Sequence, residues 1–258
     1  MTHDLPFFDC NAFIGRAIAR QPGAPETPDE LLAEMDRLGI EQALVYHAWA
    51  RLGDVAEGNR ALEREIAGRE RLHACWVLLP HQTGEGADPV RLVAEMRERG
   101  ARAARVFPND HMFPLAEWCF GPMAAALAES DIALLVDFGR THWRDPCTDW
   151  DAVRGLCLAH PRLKVILVRE GVAADRWLYP LLGELDNLFV ELSYYQIHAG
   201  LAEIARRFGV ERLVFGTGLP AFAAGGPMAA VLFSQLSDDE KRTVAGDGLK
   251  RMLGLGPQ

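Results

Sequence analysis

Along the chain, short apolar or β-branched runs alternate with longer stretches in which apolar residues recur at helical spacing. Eight runs of the first kind can be counted: FFDCNAFI (7 to 14), QALVYHAW (42 to 49), HACWVLLP (73 to 80), ARAARVFP (101 to 108), IALLVDFG (132 to 139), LKVILVRE (163 to 170), LFVELSYY (188 to 195) and RLVFGTG (212 to 218). The stretches between them carry helix start signals. Thr27-Pro28-Asp29-Glu30 precedes LLAEMDRLG, Asp88-Pro89 precedes VRLVAEMRERG, and Pro114 precedes LAEWCFGPMAAALAES. Gly39, Gly100 and Gly209 stand where helix C-caps belong.

Strand and helix taking turns in this way predict βαβ units around a parallel sheet. Eight strands and eight helices predict the α/β class and one (β/α)8 TIM barrel over residues 1–258. An extra C-terminal helix, SDDEKRTVAGDGLKRMLG, packs outside it. An open doubly wound sheet is the alternative, but no GxGxxG follows the first run. In a barrel the site lies at the C-terminal ends of the strands, and alternation sorts each strand into inward and outward residues.

Composition narrows the function classes. A chain of 258 residues, 49% hydrophobic and 24% charged, is long enough to bury a large core, which excludes a disordered chain. The net charge of -9 is spread without a run of five like charges, so no nucleic acid and no anionic membrane is expected as a partner. A small molecule is the expected partner, and a homo-oligomer stays open. The uncharged stretch LVFGTGLPAFAAGGPMAAVLF has the length of a membrane span, but its four Gly and two Pro break it into strand, loop and helix. Five cysteines (Cys10, Cys75, Cys119, Cys147 and Cys157) without a CxxC pair read as reduced, buried thiols in a cytoplasmic protein, and no N-terminal signal pattern precedes them.

Four partial motifs give the chain a family likeness. FDCNAFIG resembles a first-strand DxHxHxG, with Asp9 and Gly15 retained. HPRLKVILVREG resembles a sixth-strand motif in which HP and an apolar strand lead to His and Gly. RLVFGTGLP resembles an eighth-strand GTDxP, and AGDGLKRMLGL a terminal GNxxxLLGL. Together they resemble the amidohydrolase superfamily, in its amidohydrolase-related group of metal-dependent hydrolases, lactonases and decarboxylases. The resemblance implies a TIM barrel and hydrolase or decarboxylase chemistry. It also places metal ligands at five positions occupied here by Asn11, Phe13, Asp137, Arg169 and Gly218. An amide, a phenyl ring, a guanidinium and a glycine beside one carboxylate are not a zinc or manganese donor set, so no metal and no other cofactor is expected.

On the inward register that the resemblance implies, Arg105, Asp137 and Arg169 meet at the rim on neighbouring strands. Two readings of this trio compete: the charges neutralise one another where a metal once stood, or one guanidinium stays available to grip a carboxylate or phosphate. The candidate catalytic residues are Asp137, His142 and Arg169; the candidate substrate-binding residues are Asn11, Arg105, Arg140, Glu191 and Tyr195. His142, in DFGRTHW, is preferred for proton transfer over His47, His81, His111 and His198, because it shares a loop with Arg140 and Trp143 just after Asp137. Glu191 reads first as a structural ion-pair member and only second as a general base, and Phe13, Trp49, Phe107 and Trp143 read as pocket walls or core. No GxSxG elbow and no P-loop is present. The expected function is a metal-independent amidohydrolase-like hydrolase, of lactonase or amidase type, or a decarboxylase of a small carboxylated substrate. The alternative is a catalytically silent barrel that binds a metabolite or a partner protein.

Overall fold

A computed structural model of the chain describes residues 4–17, 21–139, 149–170 and 174–255. Eight strands follow one another around a sheet in chain order: β1 (Phe7–Ile14), β2 (Ile40–His47), β3 (Leu72–Val77), β4 (Ala103–Val106), β5 (Ala133–Asp137), β6 (Val165–Val168), β7 (Leu188–Glu191) and β8 (Leu213–Val214). Every neighbouring pair is parallel. The circle closes between β8 and β1 through an isolated bridge from Ala12 to Leu219 and through Cys10 N–H to the Phe215 carbonyl at 3.0 Å. This is the predicted TIM barrel.

The outer layer consists of α1 (Pro28–Leu38), α2 (Ala48–Leu52), α3 (Val55–Ile66), α4 (Pro89–Glu98), α5 (Glu117–Glu129), α6 (Trp150–Ala159), α7 (Asp175–Glu184), α8 (Gly200–Phe208) and α9 (Gly225–Leu232). Local chemistry sets the starts of α1 and α4 as the sequence predicts, whereas α5 begins at Glu117, three residues beyond Pro114 and without a side-chain cap. Thr27 and Glu30 form a capping box on α1, Asp88 caps α4, and Gly39 closes α1 with φ 73. The C-terminal segment is one helical rod, α10 (Asp238–Arg242) and α11 (Gly248–Met252) joined by a π turn. No helix among the described residues is long and apolar enough to cross a membrane.

Two packed layers hold the barrel together. Phe8, Leu44, Val77, Ala103, Leu135, Ile166 and Val168 fill the interior, while Phe7, Val45, Trp76, Val106, Val136 and Leu167 face the helices. This is the period-2 alternation of strands buried on both faces. Two breaks in it build the site. A register shift in β1 lets Asp9 pair with Ala43 and Ala12 with Val45, one residue more on β1 than on β2. Cys10 and Phe13 consequently both join the interior, and Asn11 reaches it as well. After Val168, Arg169 adopts φ 63, a left-handed backbone that costs a non-glycine residue about 1–2 kcal/mol.

Candidate functional site

The throat at the C-terminal ends of the strands is a closed ring of hydrogen bonds. Asp137, at the end of β5, accepts from Arg105 Nη2 of β4 and from Arg169 Nη2, each at 2.6 Å. Arg105 Nη1 donates to Asn11 Oδ1 at 2.8 Å, and Asn11 Nδ2 donates to Ser193 Oγ at 3.3 Å. Ser193 Oγ donates to Glu191 Oε2 at 2.7 Å, and the same oxygen accepts the Arg169 amide N–H at 3.2 Å. The ring thus returns to Arg169 through five strand ends. All its members are buried, Arg105 and Asp137 having side chains 2% and 1% exposed.

Burial decides the charge states. Desolvation would push Asp137 up, but Arg169, Arg105 and Arg51 pull it well below the ordinary carboxylate range. Burial also opposes the charge of Arg105, and Asp137 more than compensates, leaving that guanidinium firmly protonated. Glu191 differs, because burial pushes its carboxyl up to about 7 despite the bonds from Ser193 and Arg169. Beside it, Glu170 is fully buried, and burial together with the Glu191 charge holds it well above its usual value. Asp9 serves closure: it accepts the amides of Asn11 and Thr217, both at 2.9 Å, and the Thr217 hydroxyl.

Above the ring opens a cavity of about 320 Å³, walled by Phe13, Tyr46, Leu52, Pro220 and Phe222 and reached by two cations, Arg51 and Arg169. Arg51, on α2, is anchored through Nε to Asp110 at 2.6 Å and lies 4.9 Å from the centre of the Phe107 ring. Arg105 sits deeper, over the rings of Tyr46 and Phe107 at 4.6 and 4.8 Å. Both terminal nitrogens of Arg105 are therefore engaged, its buried Nε alone lacking a partner. Arg169 differs: Nη2 meets Asp137 and Nε is likewise buried without a partner, while Nη1 makes no hydrogen bond among the described residues.

A divalent cation does not fit these residues. Among the described residues no group of three or more His, Cys, Asp or Glu comes together to hold one. The one carboxylate among Asn11, Phe13, Asp137, Arg169 and Gly218 is Asp137, which has a guanidinium on each oxygen, so a cation there would face two fixed positive charges. At Gly218, with φ 74, a Cβ would stand 2.6 Å from the Phe222 ring, which leaves no room for a ligand side chain.

The structure brings Asn11, Arg105, Asp137, Arg169 and Glu191 into one ring. It does not bring Tyr195 there: its hydroxyl donates to Asp175 Oδ1 of α7 at 2.9 Å, on the helix side of the barrel. The rim position expected for Tyr195 assumed that β7 runs to residue 195, whereas β7 ends at Glu191. Arg140, His142 and Trp143 lie outside the described residues. Of the other histidines, His47 caps α2 by accepting from Trp49 N–H at 3.1 Å, and His111 bonds the Arg51 carbonyl at 2.9 Å. Trp49 is half exposed, so it walls nothing, whereas Phe107 is interior core. Sequence reasoning passed over Arg51; its position directly after the second strand end was the signal available.

No family model matches the chain, and no curated protein matches it in sequence. Solved structures do match in shape. A 5-carboxyvanillate decarboxylase from Novosphingobium aromaticivorans, complexed with manganese and 4-hydroxy-3-methoxy-5-nitrobenzoic acid, aligns over 98% of this chain and 97% of its own, with a TM-score of 0.77 at 16% identity. A 2,6-dihydroxybenzoate decarboxylase from Rhizobium aligns over 97% and 99%, with a TM-score of 0.76 at 14% identity. An amidohydrolase from Mycobacterium avium subsp. paratuberculosis aligns over 90% and 74%, with a TM-score of 0.63 at 19% identity. The chain has the (β/α)8 fold of these amidohydrolase and decarboxylase structures, the fold that its partial amidohydrolase-related motifs imply.

Proposed function

We propose that the protein is a metal-independent, amidohydrolase-like hydrolase or decarboxylase whose small carboxylated substrate is held by Arg169, with Arg51 beside the same cavity. The observation that carries this reading is the asymmetry between the two ring arginines. Both terminal nitrogens of Arg105 are taken up by Asn11 and Asp137, while Arg169 lines the cavity with Nη1 available. A guanidinium in a largely apolar cavity grips a carboxylate more strongly than one in bulk water. The walls of Phe13, Tyr46 and Phe222 suit a flat or ring-bearing body. The benzoate and vanillate derivatives named for the similar structures are ligands of that kind.

Either chemistry needs a proton to move. In hydrolysis, water adds to the acyl carbon as a base takes its proton and a guanidinium stabilises the oxyanion, and the acyl C–O or C–N bond then breaks as the leaving atom takes that proton back. In decarboxylation, the carbon keeps the electron pair of the broken bond and then takes up a proton. Asp137 is a poor base because both oxygens bond cations. His142 is the residue proposed for proton transfer, from its place in sequence just after β5.

The saturation of Asp137 also favours a second reading, a barrel that binds a carboxylate without converting it. A turnover screen of lactones, amides and ring carboxylates, run with a chelator present, separates the two. Conversion that is lost in Arg169→Ala and slowed in His142→Ala supports the enzyme; tight binding with no conversion of any bound compound supports the silent barrel.

A further inference from the structure

We propose that Glu191 is the positioning residue for Arg169, turning its guanidinium toward the ligand cavity through a bond to the main chain. The inference rests on the reading of Arg169 as the carboxylate grip. Ile166 and Val168 point into the barrel, so strict alternation would send residue 169 outward, among the helices. Instead Arg169 has φ 63 and its side chain crosses the interior to Asp137. A backbone amide turned in this way needs a buried acceptor, and Glu191 Oε2 supplies it at 3.2 Å.

Glu191 is itself built in. Its Oε1 accepts the Ser193 amide at 2.6 Å, its Oε2 accepts the Ser193 hydroxyl at 2.7 Å, and Gly216 makes the space. A Cβ on Gly216 would lie 2.2 Å from Oε1. Each carboxyl oxygen therefore faces an N–H, and a proton on either would set two donors against each other. The ionised form holds Arg169 and the protonated form loosens it.

The charged and titratable groups around Glu191 mostly oppose ionisation. Asp9 and Cys10 approach from β1 and Glu170 from the end of β6, while Arg105 reaches Asp9 and Cys10 from β4 and Arg169 closes the top. With burial added, the carboxyl titrates at about 7, so both forms are accessible near neutral pH. Affinity for a carboxylate ligand should then rise with pH through that titration.

The test follows two signals across pH in the wild-type protein: the backbone amide resonance of Arg169 without ligand, and the affinity for benzoate by calorimetry. The proposal expects both to change with one inflection near neutrality. Glu191→Gln should abolish the inflection and weaken benzoate binding by about tenfold or more. The double variant with Arg169→Ala should bind no worse than Arg169→Ala alone, since Glu191 acts only through Arg169. An Arg169 amide that ignores pH, or losses that add fully in the double variant, would overturn the assignment. Should wild-type protein fail to bind benzoate, the carboxylate-grip reading falls, while the amide titration still decides whether Glu191 holds Arg169. That titration needs no variant, so it stands even if Glu191→Gln does not fold.

Discussion

Replacing Asp137 by Asn should damage the fold more than removing any single surface charge. Asp137 anchors two guanidinium groups at 2.6 Å each, with side chains 2% and 6% exposed for Arg105 and Arg169. At an effective dielectric of about 20 and a charge separation of about 4 Å, each attraction is worth about 4 kcal/mol before desolvation. Desolvating the carboxylate offsets a large part of that gain in the native protein. The amide keeps the shape but leaves two buried cations facing each other, with an NH2 group turned on one of them. Removing one partner of a buried pair typically costs about 3–5 kcal/mol, and the upper half of that range is expected here. Urea unfolding followed by far-ultraviolet circular dichroism measures it through the midpoint at constant slope. A loss below about 1 kcal/mol, the range of exposed ion pairs, would refute the view that the ring is the electrostatic keystone of the throat.

Other expectations follow from the same geometry. Because Asp137 sits below its ordinary value of 3.8, its contribution is present above that pH and is lost as pH falls through 3.8 toward the lower folded value. Glu191 has the opposite sign: its folded value of about 7 lies above the ordinary 4.5, so stability falls as pH rises between the two, by about 3 kcal/mol. Glu191→Gln should flatten that decline in a series of urea midpoints, and an unchanged slope would remove Glu191 as its cause. Asp9→Asn should cost about 1–3 kcal/mol, since the amides of Asn11 and Thr217 and the Thr217 hydroxyl share that carboxylate across the barrel seam. A thermal melt unchanged from wild type would contradict that role. Elemental analysis of the purified protein should find no stoichiometric zinc or manganese, and near-equimolar metal would refute the misfit seen at Asp137 and Gly218.

Much of the fold was legible because its signals are local. The capping box at Thr27 and the glycine at position 39 mark α1 within a residue, and all eight apolar runs became strands. The strand ends were harder. The eighth run was read to Gly218, but β8 stops at Val214, because beyond it the amide of Thr217 bonds the Asp9 carboxylate rather than a backbone carbonyl of β1. Tyr195 was misplaced for the same reason, since Glu191 takes the Ser193 amide and ends β7. The ring residues were found through the register that the amidohydrolase-related resemblance implies and not through alternation. Alternation misleads at both key points: the register shift in β1 that turns Asn11 inward and the left-handed backbone at Arg169. Neither leaves a mark in a single sequence, because Cys10 and Arg169 are not residues that announce a bulge or a positive φ. Arg51 escaped because it enters the cavity from a short helix, where only the folded chain reveals its direction.

One calorimetric titration decides whether the arginine and carboxylate ring, at the strand ends where the amidohydrolase-related likeness implies a metal, leaves Arg169 to bind a carboxylate. Benzoate is titrated at neutral pH, with a chelator present, into wild-type protein and into Arg169→Ala. Binding that survives the chelator and disappears in the variant is the predicted result. Binding that requires added manganese, or that persists unchanged without the Arg169 guanidinium, would contradict it.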